Sequence, residues 1–489
     1  VIYLVLINNK RDCCKICNNQ FLRGGGWLDK RIVELDIARW RTSLKRKIMI
    51  DGERYYRGDH DILRRKRTVI GDNGDLKEVD NLPNNRIVDN QYKKMVNQKV
   101  DYLLAKPLTL ECDNKKYLSL LKTIFNKRFQ RILKNVAEDA LNCGLGFLFV
   151  YYDDLGELNF KRFKPYEVIP HWLDDEHTKL DYLIRCFSIE VFENNMYRSV
   201  DKVEVYSSNG IDYYEYTNGN LKSVEPYHNN YFTRVVDGVE NHYTWDKIPV
   251  ISFKYNHKEI PLIKMVKTLQ DGINLIESNF QNQMEEDARN TILILKNYDG
   301  ENLGEFRRNL ATYGAIKVRT ESGADGGGVD ALQVEINADN YRTLLDVFKK
   351  AIIENAMGYD AKDDRLSGTP NQMNILSMYS DIELDANSME TEFQASLEEL
   401  LWFVNVHFGL KGLGNYDSSI VDIIFNRDIL ISESDVIDNC VKSIGILSNE
   451  TILSQHPWIS DVDLELRRLD EQKQMELDSF GFGETPEDE

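Results

Sequence analysis

The 489-residue sequence predicts a multidomain α+β protein, and three observations carry that reading. Between Pro261 and Gly409 apolar residues recur at steps of three and four in three successive runs, the first two of which enclose a β-patterned insert. Between Phe147 and Val224 the pattern changes to alternation punctuated by turn dipeptides, which indicates an antiparallel meander. The third helical run is long enough for on the order of 55 to 60 Å of helix at 1.5 Å per residue, well beyond the usual length in a compact domain. A helix of that length needs partners along it.

Residues 1–27, which include Gly24, Gly25 and Gly26, show no sustained period and are expected to form a leader without ordered structure. From Lys30 to Arg67 basic residues crowd together, ending in Arg64, Arg65, Lys66 and Arg67. Such a run is either a solvated helix face or a docking surface for an acidic partner or nucleic acid. After a turn-rich passage, Ile87–Leu104 reads as a helix with Val88, Tyr92, Val96 and Val100 in step, and a second helix is expected from Lys115 to Asn142. Phe147–Tyr152 and Leu158–Phe163 flank Asp153-Asp154-Leu155-Gly156 as a hairpin. Further strands are expected at Tyr182–Phe192, Lys202–Tyr206, Ile211–Tyr216 and Leu221–Val224, with Asn209-Gly210 and Asn218-Gly219 as type I′ turns.

In the central stretch Pro261 opens a helix with its preset φ, and Leu262, Met265, Leu269, Ile273, Ile276, Phe280 and Met284 share one face. The next helix follows Asp339 and Asn340 as N-cap candidates, carries Tyr341, Leu344, Phe348 and Ile352, and stops at Gly358 as a left-handed C′ residue. The third begins with the capping-box pattern Thr369-Pro370-Asn371-Gln372 and carries Leu376, Tyr379, Ile382, Met389, Phe393, Leu397, Leu400, Val404 and Phe408 before Gly409. The insert has a strand at Ile292–Leu295, a short helix around Glu305–Leu310, and the strand pair Ala315–Arg319 and Ala331–Ile336 joined through a glycine-rich turn. Beyond Gly409 a strand is expected at Ile420–Phe425, then helices at Ser432–Leu447, Asn449–Gln455 and Asp461–Ser479, then an acidic tail.

A net charge of −19 argues against tight, sequence-independent attachment to nucleic acid, because affinity for phosphate comes from Lys and Arg. It is compatible with a protein past which DNA slides. The 42% apolar content with 25 Tyr and 20 Phe indicates a folded chain. Seven cysteines, three of them clustered at Cys13, Cys14 and Cys17, suit reduced thiols better than a disulfide scaffold, and Cys14-x-x-Cys17 lacks a second pair for zinc. The apolar opening Val1–Ile7 is too short to span a bilayer and no longer run exists, so no membrane association is expected.

Catalytic motifs are absent from the sequence: there is no phosphate-cradling loop, nucleophile elbow, His-Glu-x-x-His helix or kinase signature. His171, Asp174, Asp175, Glu176 and His177 are the best metal candidates, but neighbours on a turn point in different directions. Neither enzymatic activity, nor a metal, nor a cofactor is expected.

Three blocks of residues carry a family resemblance. The first is Gly52-Glu53-Arg54-Tyr55-Tyr56-Arg57-Gly58 with Asn84-Asn85-Arg86-Ile87-Val88-Asp89-Asn90-Gln91-Tyr92 and Lys99, Tyr102, Leu103, Lys106 and Pro107. The second is Leu295-Lys296-Asn297-Tyr298-Asp299-Gly300-Glu301-Asn302 with Gly328-Val329-Asp330-Ala331-Leu332, and the third is Leu384-Asp385-Ala386-Asn387 with Leu401-Trp402-Phe403. In number and order these blocks resemble the portal proteins of tailed bacteriophages, in the siphophage branch infecting Gram-positive bacteria. The resemblance implies a portal fold with a wing (28–260), a first stem helix (261–287), a clip (288–338), a second stem helix (339–357), a tunnel loop (358–370), a long helix and strand returning to the wing (371–431), crown helices (432–480) and an acidic tail (481–489).

It further implies a homo-oligomeric ring, a dodecamer, at one capsid vertex of the virion, assembled in the host cytoplasm. Double-stranded DNA would pass through its channel. The partners implied are terminase, the major capsid and scaffolding proteins, and the head completion or connector proteins. Lys362, Asp363, Asp364 and Arg365 would face DNA from the tunnel loop. Asn297, Tyr298, Asp299, Gly300, Glu301 and Arg319 of the clip would dock the motor and connector, and Arg64, Arg65, Lys66 and Arg67 would form a basic partner surface. The alternatives are another structural ring or baseplate protein of a phage, or a terminase or nuclease, which would need a Walker loop or clustered carboxylates that the sequence lacks.

Overall fold

Ser43 separates the first two helices of the described residues, α1 (Lys30–Thr42) and α2 (Leu44–Tyr56), its hydroxyl accepting from the Arg46 amide as an N-cap. The computed structural model describes residues 28–479 apart from 71–73, 81, 194, 237–238, 288–291, 297–303, 305–327, 333–337, 362–371, 428–432 and 460–461. The leader, the acidic tail, the Glu305–Leu310 helix, the Ala315–Arg319 strand and the capping box at Thr369–Asn371 therefore lie outside the described residues.

After a small hairpin, β1 (Thr68–Ile70) and β2 (Leu76–Glu78), the chain runs without regular structure to α3 (Gln91–Leu104). The helix expected from Ile87 thus starts four residues late. Asn90 is its cap, accepting from the Lys93 amide, and the residues before it find their backbone partners elsewhere. β3 (Thr109–Glu111) leads into α4 (Lys115–Ile124) and α5 (Lys127–Cys143), two helices where the sequence suggested one. The break is at Asn126, whose side chain accepts from the amides of Arg128 and Phe129. Gly144, at φ +84°, closes α5 in the left-handed conformation.

The meander is longer than its sequence pattern: β4 (Leu145–Tyr152), β5 (Leu158–Phe163), β6 (Val168–Trp172), β7 (Leu180–Glu193), β8 (Met196–Ser207), β9 (Gly210–Thr217), β10 (Asn220–Asn229), β11 (Phe232–Val236), β12 (Val239–Tyr243) and β13 (Val250–Lys254). They form a five-stranded antiparallel sheet in the order β10-β9-β8-β7-β6, a three-stranded sheet β13-β4-β5, and the β11–β12 hairpin. Asn218 and Gly219 both have positive φ, as a type I′ turn requires, whereas at Asn209-Gly210 only the glycine does. The Ser207 hydroxyl accepts from the Asn209 amide and supplies that turn with a different geometry.

Three long helices follow: α6 (Ile263–Asp287), α7 (Ala338–Asn355) and α8 (Gln372–Leu410, 39 residues). Between α6 and α7, β14 (Ile292–Lys296) pairs antiparallel with β15 (Gly328–Leu332). β16 (Asp422–Ile424) returns to pair with β3. The chain ends in α9 (Glu433–Lys442), α10 (Asn449–Gln455) and α11 (Val462–Ser479).

Two helix ends differ from the expected ones. At α7 the left-handed residue is Met357, at φ +50°, not Gly358; the bonds Met357 N–H to Glu354 O and Gly358 N–H to Ile353 O make a Schellman motif. Helix α8 runs through Gly409, and Gly412, at φ +69°, provides the same ending, with the Gly412 amide donating to the Gly409 carbonyl and the Leu413 amide to the Phe408 carbonyl. The core lies where α3, α5, α8 and β13 meet: Phe253 and Phe393 pack edge to face at 5.1 Å, and Trp245 packs on Phe403 at 5.3 Å. Along α8 the expected apolar face is buried from Tyr379 to Phe408, but Leu376 is exposed and Ile375 takes its place.

Candidate functional site

The α6–α7 pair carries the geometry of interest. Of the seven apolar residues assigned to one face of α6, Leu262 and Ile273 are buried, Leu269 is half-buried against the core, and Met265 and Met284 are exposed. Apart from Ile273, the buried side from the second turn onward is polar. Gln270, Asn274, Ser278 and Asn282, one turn apart, are all essentially inaccessible. Each serves the run before α3 or the first turn of that helix. Gln270 Oε1 accepts from the Tyr92 amide at 2.9 Å, Asn274 Oδ1 from Asp89 at 3.1 Å, Ser278 Oγ from Ile87 at 2.9 Å and Asn282 Oδ1 from Asn85 at 2.7 Å.

This ladder supplies partners to the Asn85, Ile87 and Asp89 amides, which belong to no helix or sheet, and to the Tyr92 amide in the first turn of α3. Its signal was present in the sequence as a polar i, i+4 repeat, which reads as a solvated face when no partner is known.

The ladder is fixed at its upper end by His60. Fully buried and stacked on Tyr55 at 4.4 Å, its Nδ1 accepts from Asn274 at 2.8 Å and its Nε2 donates to the Tyr55 carbonyl at 3.0 Å. Burial first, opposed by that carbonyl, holds its pKa below the ordinary value, so the ring is neutral. Tyr55 hydrogen bonds to Asp271, and Lys267 joins Asp61 at 2.5 Å and Asp271 at 3.0 Å. Across the pair, Phe280 and Tyr341 are 5.0 Å apart, and Lys349 of α7 reaches both Asp89 at 2.7 Å and Glu277 at 3.3 Å. On α7 it is Leu345, Phe348 and Ile352 that face the core, while the expected Leu344 is exposed beside Val347.

The sequence-predicted site residues fall in two groups. Lys362, Asp363, Asp364 and Arg365, and Asn297, Tyr298, Asp299, Gly300, Glu301 and Arg319, lie outside the described residues. In the basic run, Arg64 pairs with Asp59 at 2.9 Å, Lys66 pairs with Glu78, and Arg65 donates to Asn279 Oδ1 at 2.8 Å. The metal candidates turn apart: His171 meets Asp36, His177 meets Glu259, and Asp174 caps its own turn through Thr178 and Lys179. Among the described residues no helix is long and apolar enough to cross a membrane. A cleft of about 570 Å³ beside β13 and α8 holds Glu399, whose carboxyl burial pushes up to about 7 against the opposing effect of Lys247.

Comparison with known proteins meets this architecture directly. Residues 41–478 match the family model for phage portal proteins of the SPP1 Gp6-like type. The chain belongs to that portal family. It is 27% identical over 428 residues to the portal protein of Bacillus phage SPP1, covering 87% of this chain and 83% of that one. It is also 27% identical over 456 residues to the portal protein of Clostridium phage phiCD119, covering 91% and 95% of the two chains. Both relatives carry the portal name along most of their length, so the portal function extends to this chain, and the family's role is structural.

Proposed function

We propose that the portal chain assembles into a dodecameric ring at one capsid vertex, through which double-stranded DNA is packaged and ejected. The observation that carries the ring is the outer side of the α6–α7 pair. Leu344 and Val347 of α7 and Met265, Leu275 and Met284 of α6 are exposed, Val347 at 56%. Repetition of the pair around an axis gives those side chains partners. In this reading residues 28–260 are the wing, α6 and α7 the stem, 288–338 the clip, 358–370 the tunnel loop and 432–480 the crown.

Terminase docks on the clip through Asn297, Tyr298, Asp299, Gly300, Glu301 and Arg319, where connector proteins later bind. Capsid and scaffolding proteins surround the wing, with Arg64, Arg65, Lys66 and Arg67 as a partner surface. The net charge of −19 keeps DNA from adhering to the channel, because each neutralised phosphate would add friction. Lys362 and Arg365 touch phosphates transiently at the narrow point while Asp363 and Asp364 limit that attraction.

Electron microscopy of the purified protein tests the ring: particles of about twelve subunits with an axial hole and no ATP hydrolysis are expected, and a monomer that hydrolyses ATP would overturn it. The loop assignment has its own check. Neutralising Lys362 and Arg365 together changes packaged DNA length, packaging rate or retention in an in vitro packaging assay, and no change in any of the three sinks it.

A further inference from the structure

The end of α7 is held in a conformation that its own sequence does not favour. Met357 sits at φ +50°, which costs a residue with a Cβ about 1 to 2 kcal/mol and persists only where the surroundings determine it. Those surroundings are one face of α3. Lys99 Nζ donates to the Met357 carbonyl at 3.2 Å. At Gly358 a Cβ would lie 2.8 Å from Met95 Sδ and 2.9 Å from Gln98 Oε1, so any side chain there would displace the ends of both. Gln98 then grips Tyr359 from both sides, accepting from its amide at 3.1 Å and donating to its carbonyl at 2.8 Å. Three consecutive residues leaving α7 are each fixed by α3.

Lys99 is only 3% exposed, and its second partner is on α8: Asp385 Oδ2 lies 2.6 Å away, while Asp385 Oδ1 accepts from the Tyr255 hydroxyl at 2.9 Å. Residues 362–371 lie between the two helices so joined. A buried ion pair is a poor source of net stability, because desolvation cancels most of its attraction, and apolar replacements of similar volume are often neutral or stabilising. What such a pair supplies is one register.

We propose that Lys99, Gln98 and Asp385 are positioning residues that set the direction in which the chain leaves α7 toward the channel and lock it to α8. The proposal rests on the tunnel-loop reading given above. An apolar pair at the same place would hold α3 and α8 together equally well but would not fix the Met357 carbonyl.

The test is the full-length Lys99→Met/Asp385→Leu double variant, with Gln98→Ala as a second, milder one. Both are expected to form rings, the double variant with a lower melting temperature, because Asp385→Leu also leaves the buried Tyr255 hydroxyl without its acceptor. Amide exchange at residues 357–359 becomes about tenfold faster, as for loss of one hydrogen bond. In packaging reactions with portal-deficient heads and the phage's motor, DNA yield falls at least severalfold, and Lys99→Arg, which keeps the charge, recovers part of it. Wild-type packaging or wild-type exchange at residues 357–359 in a ring-forming variant overturns the proposal. If the double variant does not fold, Gln98→Ala decides by the same two readouts. A wild-type protein that itself fails to restore packaging would defeat the portal channel reading instead.

Discussion

Asn274 accepts from the Asp89 amide at 3.1 Å and donates to His60 at 2.8 Å, with no access to water. An apolar side chain of the same size would leave both groups buried and unpaired. Asn274→Leu is therefore expected to destabilise the chain by about 2 to 6 kcal/mol, at about 1 to 3 kcal/mol per orphaned group, which chemical denaturation measures. Met265→Ala, on the exposed side of the same helix, should move the unassembled chain by no more than about 0.5 kcal/mol.

Asp139 presents the opposite case. Its Oδ2 is buried without a hydrogen bond, 3.4 Å from Arg162 Nε, and burial, aided by Glu53 and Glu138 and opposed by Arg162, pushes its pKa up to about 8. An acid that binds its proton more tightly when folded favours the native state fully below its unfolded pKa, near 4, and loses that contribution as pH rises through 8. Asp139→Asn should then gain melting temperature over the parent steadily between about pH 4 and 8, level off above 8 and gain least at acid pH. A pH-independent difference would show that Arg162 neutralises the carboxylate.

Element by element, what could be read in the sequence follows from who supplies the partner. The apolar face of α8 from Tyr379 to Phe408 was legible because its partners are apolar and the helical period alone reports them. The start of α3 was not. Val88 falls in helical step with Tyr92, yet Asn90 caps the helix and residues 85–89 draw their hydrogen bonds from α6, nearly two hundred positions away. The same long-range pairing turned the polar side of α6 into its buried side. The residues proposed to face DNA and to dock the motor rest on family likeness alone, since no spacing of charges distinguishes a channel loop from a linker.

Close approach between elements gives a further expectation at this scale. A Cβ on Gly52 would lie 2.0 Å from the Asn142 carbonyl oxygen, so α2 and α5 touch backbone to backbone there. Gly52→Ala must push the helices apart and should cost roughly 1 to 3 kcal/mol or more, seen as a lower denaturation midpoint. Gly74→Ala, with nothing within 4 Å, meets only the strain of its φ of +80° and should cost less.

For the whole molecule the question is where stability resides. One chain already buries a continuous core through α3, α5 and α8. The α6–α7 pair is different: its inner side is closed by the polar ladder and by Leu345, Phe348 and Ile352, while Leu344 and Val347 face outward one turn apart. Burying such a side chain contributes about 1.5 to 3 kcal/mol, and a closed ring repeats that gain at every interface. A charge placed there is costly only when a neighbour covers it. Leu344→Asp with Val347→Asp should therefore leave the circular dichroism and melting temperature of the dilute, unassembled chain nearly unchanged while abolishing rings by mass photometry. Full assembly of this double variant would mean that the subunits meet elsewhere, and the stem assignment of α6 and α7 would fall with it.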